Sequence, residues 1–157
     1  MKNRFLARVS ACFILLPSCA KKKLVANVFV YDESDTFIRS RSDSLLSGLE
    51  EAGYSYKVSY ASNSQIKQNE AIVSAIDDGN PDRRFINPVD RMSASAIIDK
   101  VSRKDIPVIF FNRQPLDGDR IRGRKKNGKI FYVGTDPVFE GKEQAKMAEA
   151  LFQAENG

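Results

Sequence analysis

Polar side chains follow directly after four apolar segments of this chain. The apolar run Ile106–Phe111 ends at Asn112, and each of the other three corners carries an Asp; the four segments read YDESDTF (31–37), INPVD (86–90), FFNRQP (110–115) and VGTDP (133–137). A carboxylate accepts hydrogen bonds from two neighbouring hydroxyls, an amide donates and accepts at once, and an aromatic ring covers the apolar C–H face of a pyranose. These residue types favour a sugar site.

A nucleotide site, a glycosidase site and simple turn formation are the alternatives to a sugar site. No GxGxxG or GxxxxGK[ST] motif follows the first apolar segment, and Asp32, Glu33 and Asp35 would repel a phosphate there. A glycosidase could use two carboxylates, such as Asp35 with Asp90 or Asp136. Asp90 and Asp136 lie near proline, where Asp often forms turns, and turns or helix caps that touch no ligand stay an alternative for the whole set.

Apolar periodicity places these corners on a framework of alternating strands and helices. We predict strands at 24–31, 56–60, 84–87, 108–111 and 130–133, and helices at 37–52, 65–78, 93–104 and 140–154. The alternation predicts an α/β fold, a doubly wound five-stranded parallel sheet of flavodoxin-like order with helices on both faces. In such sheets ligands bind beyond the carboxyl ends of the strands, where the polar corners lie.

A long polar segment and three arginines do not fit this alternation of strands and helices. Residues 114–129 are long and polar, with a very basic stretch at 120–129, and we interpret them as a solvated crossover loop on the rim. Arg83 and Arg84 begin the third strand, and Arg41 lies on the apolar face of the first helix together with Phe37 and Leu45. Because an unpaired buried charge costs several kcal/mol, we expect these arginines to reach solvent, or the third strand to begin later.

Residues 1–19 have the layout of a secretory signal: a basic start, a short apolar stretch, then small residues. Their end, LPSC at 16–19, looks like a bacterial lipobox and predicts lipidation of Cys19, whereas Pro17 is unfavoured there and leaves cleavage by the other signal peptidase as the alternative. Cys12 would leave with the signal and Cys19 would carry lipid, so the domain at 24–157 would have no thiol to pair. Cleavage would lower the net charge from +5 to +2, because Lys2, Arg4 and Arg8 leave.

Charge and residue content also bear on cofactors and partners. Part of the remaining positive charge lies in the lysine triplet at 21–23, where it would meet membrane phosphates, so we predict no nucleic-acid partner. The chain has no histidine, and the domain has no cysteine pair, so we predict neither a metal site nor a cofactor.

The segments VYDESDTF, INPVD, IPVIFFNRQP and FYVGTDP, in this order and spacing, resemble the N-terminal lobe of bacterial periplasmic sugar-binding proteins, closest to the galactose/glucose-binding type. The resemblance covers Val25 to the end of the chain. It implies capture of a hexose such as galactose or glucose in the periplasm and delivery to an ABC importer, in some members with a link to a chemoreceptor. It implies a binding protein and not an enzyme.

The resemblance also assigns residues. Asp35 matches the carboxylate that binds sugar hydroxyls, Phe37 the ring that stacks on the sugar, and Asn112 the amide that binds a hydroxyl. Tyr31 and Asp32 lie beside them without a defined role.

The family has two lobes that close on the sugar. We expect this chain to be one lobe, a truncated or degenerate copy whose second lobe and calcium loop are absent.

Two other functions are compatible with this fold class. An effector-binding lobe of a sugar-responsive transcription regulator would begin with a helix-turn-helix, and residues 1–23 show a signal-like layout instead. A small carbohydrate-acting enzyme on a flavodoxin-like sheet would turn over glycosides. The signal-like N-terminus favours the exported binding protein.

Overall fold

Strands and helices alternate along the chain in a computed structural model that describes residues 24–78 and 82–156. The strands are β1 (Leu24–Val30), β2 (Tyr54–Tyr60), β3 (Arg83–Ile86), β4 (Val108–Phe111) and β5 (Ile130–Val133). The helices are α1 (Thr36–Glu51), α2 (Gln65–Asp77), α3 (Ala94–Arg103), α4 (Asp117–Asn127) and α5 (Pro137–Asn156). The predicted secretory signal and Cys19 lie outside the described residues.

All five strands run parallel in one sheet of order β2-β1-β3-β4-β5. This order and the flanking helices confirm the predicted doubly wound α/β fold. The strand order reverses at β1, since β2 lies on one side of it and β3 on the other. Ligands bind beyond the carboxyl ends of the strands at such a reversal, which places the candidate site after Val30 and Ile86.

One face of the sheet is covered by α2, α3 and α4. In α3 the apolar residues recur at positions 94, 97, 98 and 101, a helical spacing that gives one continuous buried stripe. The larger side chains of this core are fully or almost fully buried: Phe29, Ile72, Ile76, Ile86, Ile98, Val101, Val108, Phe110 and Ile130. Ile66, in the first turn of α2, lies outside this core and is 72% exposed.

The opposite face is covered by α1, which packs over β1 and β2. Ile38 and Leu49 of α1 are buried in this second core, together with Val28 and Val30 of β1. Towards β5 the cover ends, because Phe131 remains 45% exposed and Val133 64% exposed. Within the described residues, this face therefore lacks a packed helix over β5.

Residues 117–127 form α4, so the predicted crossover loop over 114–129 was wrong. Two aspartates in the first turn and three basic residues in the last turn complement the helix dipole, and Gly128 ends the helix in the left-handed conformation. The helix packs through Gly123, where an added Cβ would lie 2.6 Å from a side-chain carbon of Ile98. Because contact through a glycine leaves no apolar stripe, periodicity missed this helix.

Arg84 is 1% exposed, so our expectation that the arginines reach solvent, or that β3 begins later, was wrong for this residue. Arg83 and Arg41 are exposed, as expected. The Nη2 of Arg84 donates a hydrogen bond of 2.9 Å to the carbonyl oxygen of Ala75, in the last turn of α2. Its Nε and Nη1 have no acceptor among the described residues, and burial lowers the pKa of the guanidinium. Arg84 thus satisfies a helix-end carbonyl but leaves an unpaired charge in the core.

The last helix, α5, forms as predicted but does not bury its apolar side chains against the sheet. Val138, Phe139, Met147 and Leu151 are between 62% and 67% exposed. In the described part of the chain no helix, the 20-residue α5 included, is long and apolar enough to cross a membrane.

Candidate binding site at the carboxyl edge of the sheet

Asp35 begins α1, directly beyond the carboxyl end of β1. Its Oδ1 accepts hydrogen bonds from the backbone N–H groups of Phe37 at 3.0 Å and Ile38 at 3.1 Å. These are N–H groups that a helix cannot pair within itself, and Asp is among the residues that best satisfy them. The sequence DTFI thus fixes the position of the Asp35 carboxylate relative to the helix that follows.

Tyr31 holds the second oxygen of the same carboxylate. Its hydroxyl donates a hydrogen bond to Oδ2 of Asp35, and its ring is 8% exposed. This hydrogen bond is the main reason that the pKa of Asp35 is lowered, with the N–H of Ile38 as the next cause. The same bond, followed by burial, raises the pKa of Tyr31. Both pKa shifts show that the hydrogen bond favours an ionised Asp35 and a protonated Tyr31.

Arg113 connects three strand ends. Its guanidinium carbon lies 3.9 Å from the centroid of the Tyr31 ring, a cation–π contact. Its Nη1 donates hydrogen bonds to the carbonyl oxygens of Val89 and, at 3.4 Å, Pro88, both in the loop after β3. The residue after β4 therefore braces the Tyr31–Asp35 pair after β1 against the loop after β3.

Asn112 lies at the end of β4 with a φ of 61°, in the left-handed region that Asn tolerates better than most residues. Its backbone N–H donates to the carbonyl oxygen of Val133 at 3.1 Å, and its own carbonyl accepts from the hydroxyl of Tyr132 at 3.1 Å. Within the described residues its side-chain amide has no hydrogen-bond partner. The backbone of Asn112 is thus held by two hydrogen bonds, whereas its side-chain amide keeps its capacity both to donate and to accept.

Phe37 is exposed on the first turn of α1, although we also predicted it on the apolar face that packs on the sheet. Its side chain is 55% exposed, and the guanidinium carbon of Arg41 lies 4.4 Å from the ring centroid. Arg41 and Asn112 both line a hollow of about 480 Å³ between α1 and the ends of β4 and β5. Phe37 itself does not line this hollow, but its exposed ring contacts Arg41, which does, and such a ring can stack on a flat apolar ligand face.

The other predicted acidic residues, Asp32, Asp90 and Asp136, accept hydrogen bonds from residues close to them in the chain. The Oδ1 of Asp32 accepts from the backbone N–H and the hydroxyl of Ser34, both at 2.8 Å. Asp136 accepts from the N–H groups of Val138 and Phe139 at the start of α5, and the Oδ1 of Asp90 accepts from the N–H of Met92 at 3.0 Å. Turn formation accounts for Asp90 and Asp136, as their neighbouring prolines indicated. The described residues contain no cluster of three or more His, Cys, Asp or Glu that could hold a metal ion.

The structure thus brings the predicted residues to one edge of the sheet. Asp35, Tyr31 and Phe37 lie at the end of β1 and the start of α1, and Asn112 lies at the end of β4 with Arg113 linking the two groups. Residues 25–155 match a family model described as the periplasmic binding protein domain. This chain belongs to that family.

Relatives of this periplasmic binding protein domain are named for sugar ligands. A D-galactose/methyl-galactoside binding periplasmic protein of Haemophilus influenzae is 38% identical over 69 residues, which are 44% of this chain and 20% of that protein. An ABC transporter solute binding protein from Clostridium phytofermentans with bound beta-D-glucose has a TM-score of 0.67 at 19% identity, over 83% of this chain and 38% of that chain. A Mycobacterium smegmatis protein in complex with beta-D-fucofuranose has a TM-score of 0.70 at 25% identity, over 85% and 42%. This chain spans less than half the length of each of these proteins.

Arg113 is the residue of this binding-protein lobe whose role sequence reasoning missed. It stands beside Asn112 in FFNRQP, so its presence at a strand end was visible. Its contacts were not, because they join it to Tyr31 and Val89, residues from two other strand ends. The sequence shows only that a basic residue, Arg113, follows the predicted site residue Asn112. This position does not tell whether Arg113 contacts a ligand or supports neighbouring loops.

Proposed function

We propose that this domain binds a hexose such as galactose or glucose at the carboxyl edge of the sheet, with Asp35, Phe37 and Asn112 in contact with the sugar. The observation that carries the proposal is the locked carboxylate of Asp35 beside the exposed ring of Phe37. A carboxylate held by three hydrogen bonds loses little freedom on binding, which favours affinity.

Each side chain would have a separate task. The two N–H groups of α1 occupy Oδ1 of Asp35, and Tyr31 occupies part of Oδ2, so one acceptor position on Oδ2 remains for a sugar hydroxyl. The ring of Phe37 would cover the apolar C–H face of the sugar. The amide of Asn112 would both donate to and accept from a hydroxyl, and Tyr31 and Asp32 would shape the β1 side of the site.

We also propose that an ABC importer permease receives the sugar from this domain, and that a chemoreceptor is a second partner. A lipid anchor on Cys19 would hold the domain at the membrane, in the periplasm. Support comes from the family and from the lipobox-like LPSC at 16–19. Labelled palmitate should be incorporated into the full chain in a bacterial host and lost in Cys19→Ser. Label that persists in this variant would disprove the anchor.

The sugar proposal is tested by NMR titration of the ¹⁵N-labelled domain with glucose and galactose. One lobe covers one side of a sugar, so we expect weak binding with a Kd on the order of 1 mM. The largest shifts should fall on residues 31–38 and 111–114. Asp35→Asn should weaken binding at least about tenfold, because an amide nitrogen replaces a carboxylate oxygen.

A matched control is Asp43→Asn, which changes an exposed carboxylate on the same helix without touching the carboxyl edge. It should leave the titration unchanged. Absence of shifts with every hexose tested, or equal effects of the two substitutions, would disprove the site assignment.

A further inference from the structure

Gln68, near the start of α2, is a polar side chain buried within the domain. It is 2% exposed, and both ends of its amide are paired with backbone groups of the β3 corner, which we define as residues 87–89. Its Nε2 donates to the carbonyl oxygen of Asn87, and its Oε1 accepts from the backbone N–H of Val89, both at 2.9 Å. Because a buried amide is costly unless both of its groups are satisfied, Gln68 and the β3 corner fix each other's position.

Arg113 binds the same β3 corner through its carbonyl groups. Its Nη1 donates to the carbonyl oxygens of Val89 and, at 3.4 Å, of Pro88. Val89 is thus held at its N–H by Gln68 and at its carbonyl by Arg113. Pro88 has no N–H through which the corner could be held instead. The position of the carbonyl groups that bind Arg113 therefore depends on Gln68.

Arg113 in turn contacts the residues of the candidate site. Its guanidinium carbon lies 3.9 Å from the centroid of the Tyr31 ring, and the Tyr31 hydroxyl donates to Oδ2 of Asp35. The pKa of Asp35 is lowered first by this hydrogen bond, then by the N–H groups of Ile38 and Phe37, and to a smaller extent by the charge of Arg113. The ionisation of Asp35 therefore responds to a displacement of either Tyr31 or Arg113.

Gln68 does not itself reach a ligand, because its side chain is buried and both groups of its amide are occupied. We propose that Gln68 is a positioning residue for the candidate site: it holds the β3 corner, the corner holds Arg113, and Arg113 sets the position of the Tyr31–Asp35 pair. The consequence for sugar affinity rests on the proposed function, whereas the coupling between Gln68 and Asp35 does not.

Titration of the Asp35 carboxyl by ¹³C NMR in the full chain tests this coupling without any sugar. Gln68→Met nearly keeps the volume of the side chain and removes both hydrogen bonds, so it should raise the pKa of Asp35 towards its ordinary value. Ile76→Val is the matched control, since Ile76 is 1% exposed in the core about two turns further along α2. This substitution lowers stability through a small cavity and should leave the Asp35 titration unchanged.

A double substitution shows whether the effect passes through Arg113. Arg113→Met by itself should also raise the pKa of Asp35, because its charge and its contact with Tyr31 are lost. In that background Gln68→Met should produce little further change, since the effects of residues that act through one another do not add. If Gln68→Met does not fold, Gln68→Asn, whose shorter side chain cannot span both backbone groups, should show the same pattern.

Hexose affinity is the second measurement. Gln68→Met should weaken the binding of glucose or galactose at least about threefold, whereas Ile76→Val should not. An unchanged Asp35 titration in Gln68→Met, an equal shift in Ile76→Val, or an equal effect of Gln68→Met with and without Arg113 would overturn the proposal. If the wild-type chain binds no hexose but shows the expected Asp35 shifts, the proposed function fails and the positioning role of Gln68 is supported.

Discussion

The hydroxyl of Tyr31 donates a hydrogen bond to Oδ2 of Asp35, while Oδ1 of the same carboxylate caps α1. One carboxylate therefore joins the end of β1 to the start of the first helix. The pKa of Asp35 is lowered mainly by this hydrogen bond, and the pKa of Tyr31 is raised by it.

Replacing Tyr31 by Phe should raise the pKa of Asp35 towards its ordinary value, because the largest stabilising contact of the carboxylate is lost. The carboxyl ¹³C shift of Asp35, followed by NMR against pH, measures this change. Tyr56→Phe is the control, since Tyr56 donates to Glu50 at 2.7 Å, on the last turn of α1. An unchanged Asp35 titration in Tyr31→Phe would show that the hydrogen bond does not set this pKa.

The sign of the Asp35 shift also predicts a pH dependence of stability. A folded-state pKa below the unfolded-state value gives stability that is full above the unfolded-state value and is lost as the pH falls through the folded-state value. The difference in urea midpoint between the wild type and Asp35→Asn should therefore be larger at pH 7 than below about pH 3. Equal differences at both pH values would contradict this.

Two substitutions of Asn112 separate the effect of its backbone conformation on stability from the effect of its side-chain amide on binding. Because its φ is 61°, Asn112→Gly should leave stability nearly unchanged, whereas Asn112→Ala should lower the free energy of unfolding by about 1 kcal/mol. Both variants lack the amide, so both should lose affinity for hexose in the NMR titration. Retained hexose binding in Asn112→Gly would show that the amide does not contact the sugar. Thermal unfolding measures the change in stability of both variants.

Two glycines of α4 should respond in opposite directions to alanine. Gly123→Ala should lower the free energy of unfolding by about 1–3 kcal/mol, because its Cβ would lie 2.6 Å from Ile98 and 2.9 Å from Ile130. Gly118→Ala, whose Cβ would meet nothing within 4 Å, should leave stability unchanged or raise it by up to about 1 kcal/mol. Urea unfolding of both variants checks the pair, and a similar loss in both would indicate that α4 is not packed through Gly123.

Arg84→Met should raise the free energy of unfolding by about 1–3 kcal/mol. The substitution removes a buried cation with two unpaired donors and retains an apolar stem, although the hydrogen bond to Ala75 is lost. Arg83→Met, at an exposed position of the same strand, should change stability by no more than about 0.5 kcal/mol. Denaturant unfolding compares the two, and a destabilised Arg84→Met would show that its hydrogen bond outweighs the buried charge.

The sequence by itself determined the strands, four of the five helices and the edge at which the site residues lie. Apolar runs bounded by Asp, Asn, Gly and Pro marked β4 and β5 to the residue. Because the carboxyl ends of parallel strands share one edge, Asp35 and Asn112 had to lie on the same side of the sheet once the alternation was recognised. These features follow from local pattern and from a rule of parallel sheets.

Only the tertiary structure decided what depends on residues far apart in the chain. The brace of Arg113 on Tyr31, the burial of Arg84 under α2 and the packing of α4 through Gly123 each join separate elements. The exposure of the apolar side chains of α5 is of the same kind, since such side chains are buried only if a neighbouring surface reaches them. Periodicity reports which side of an element is apolar, but the distance to a partner sets whether that side is covered.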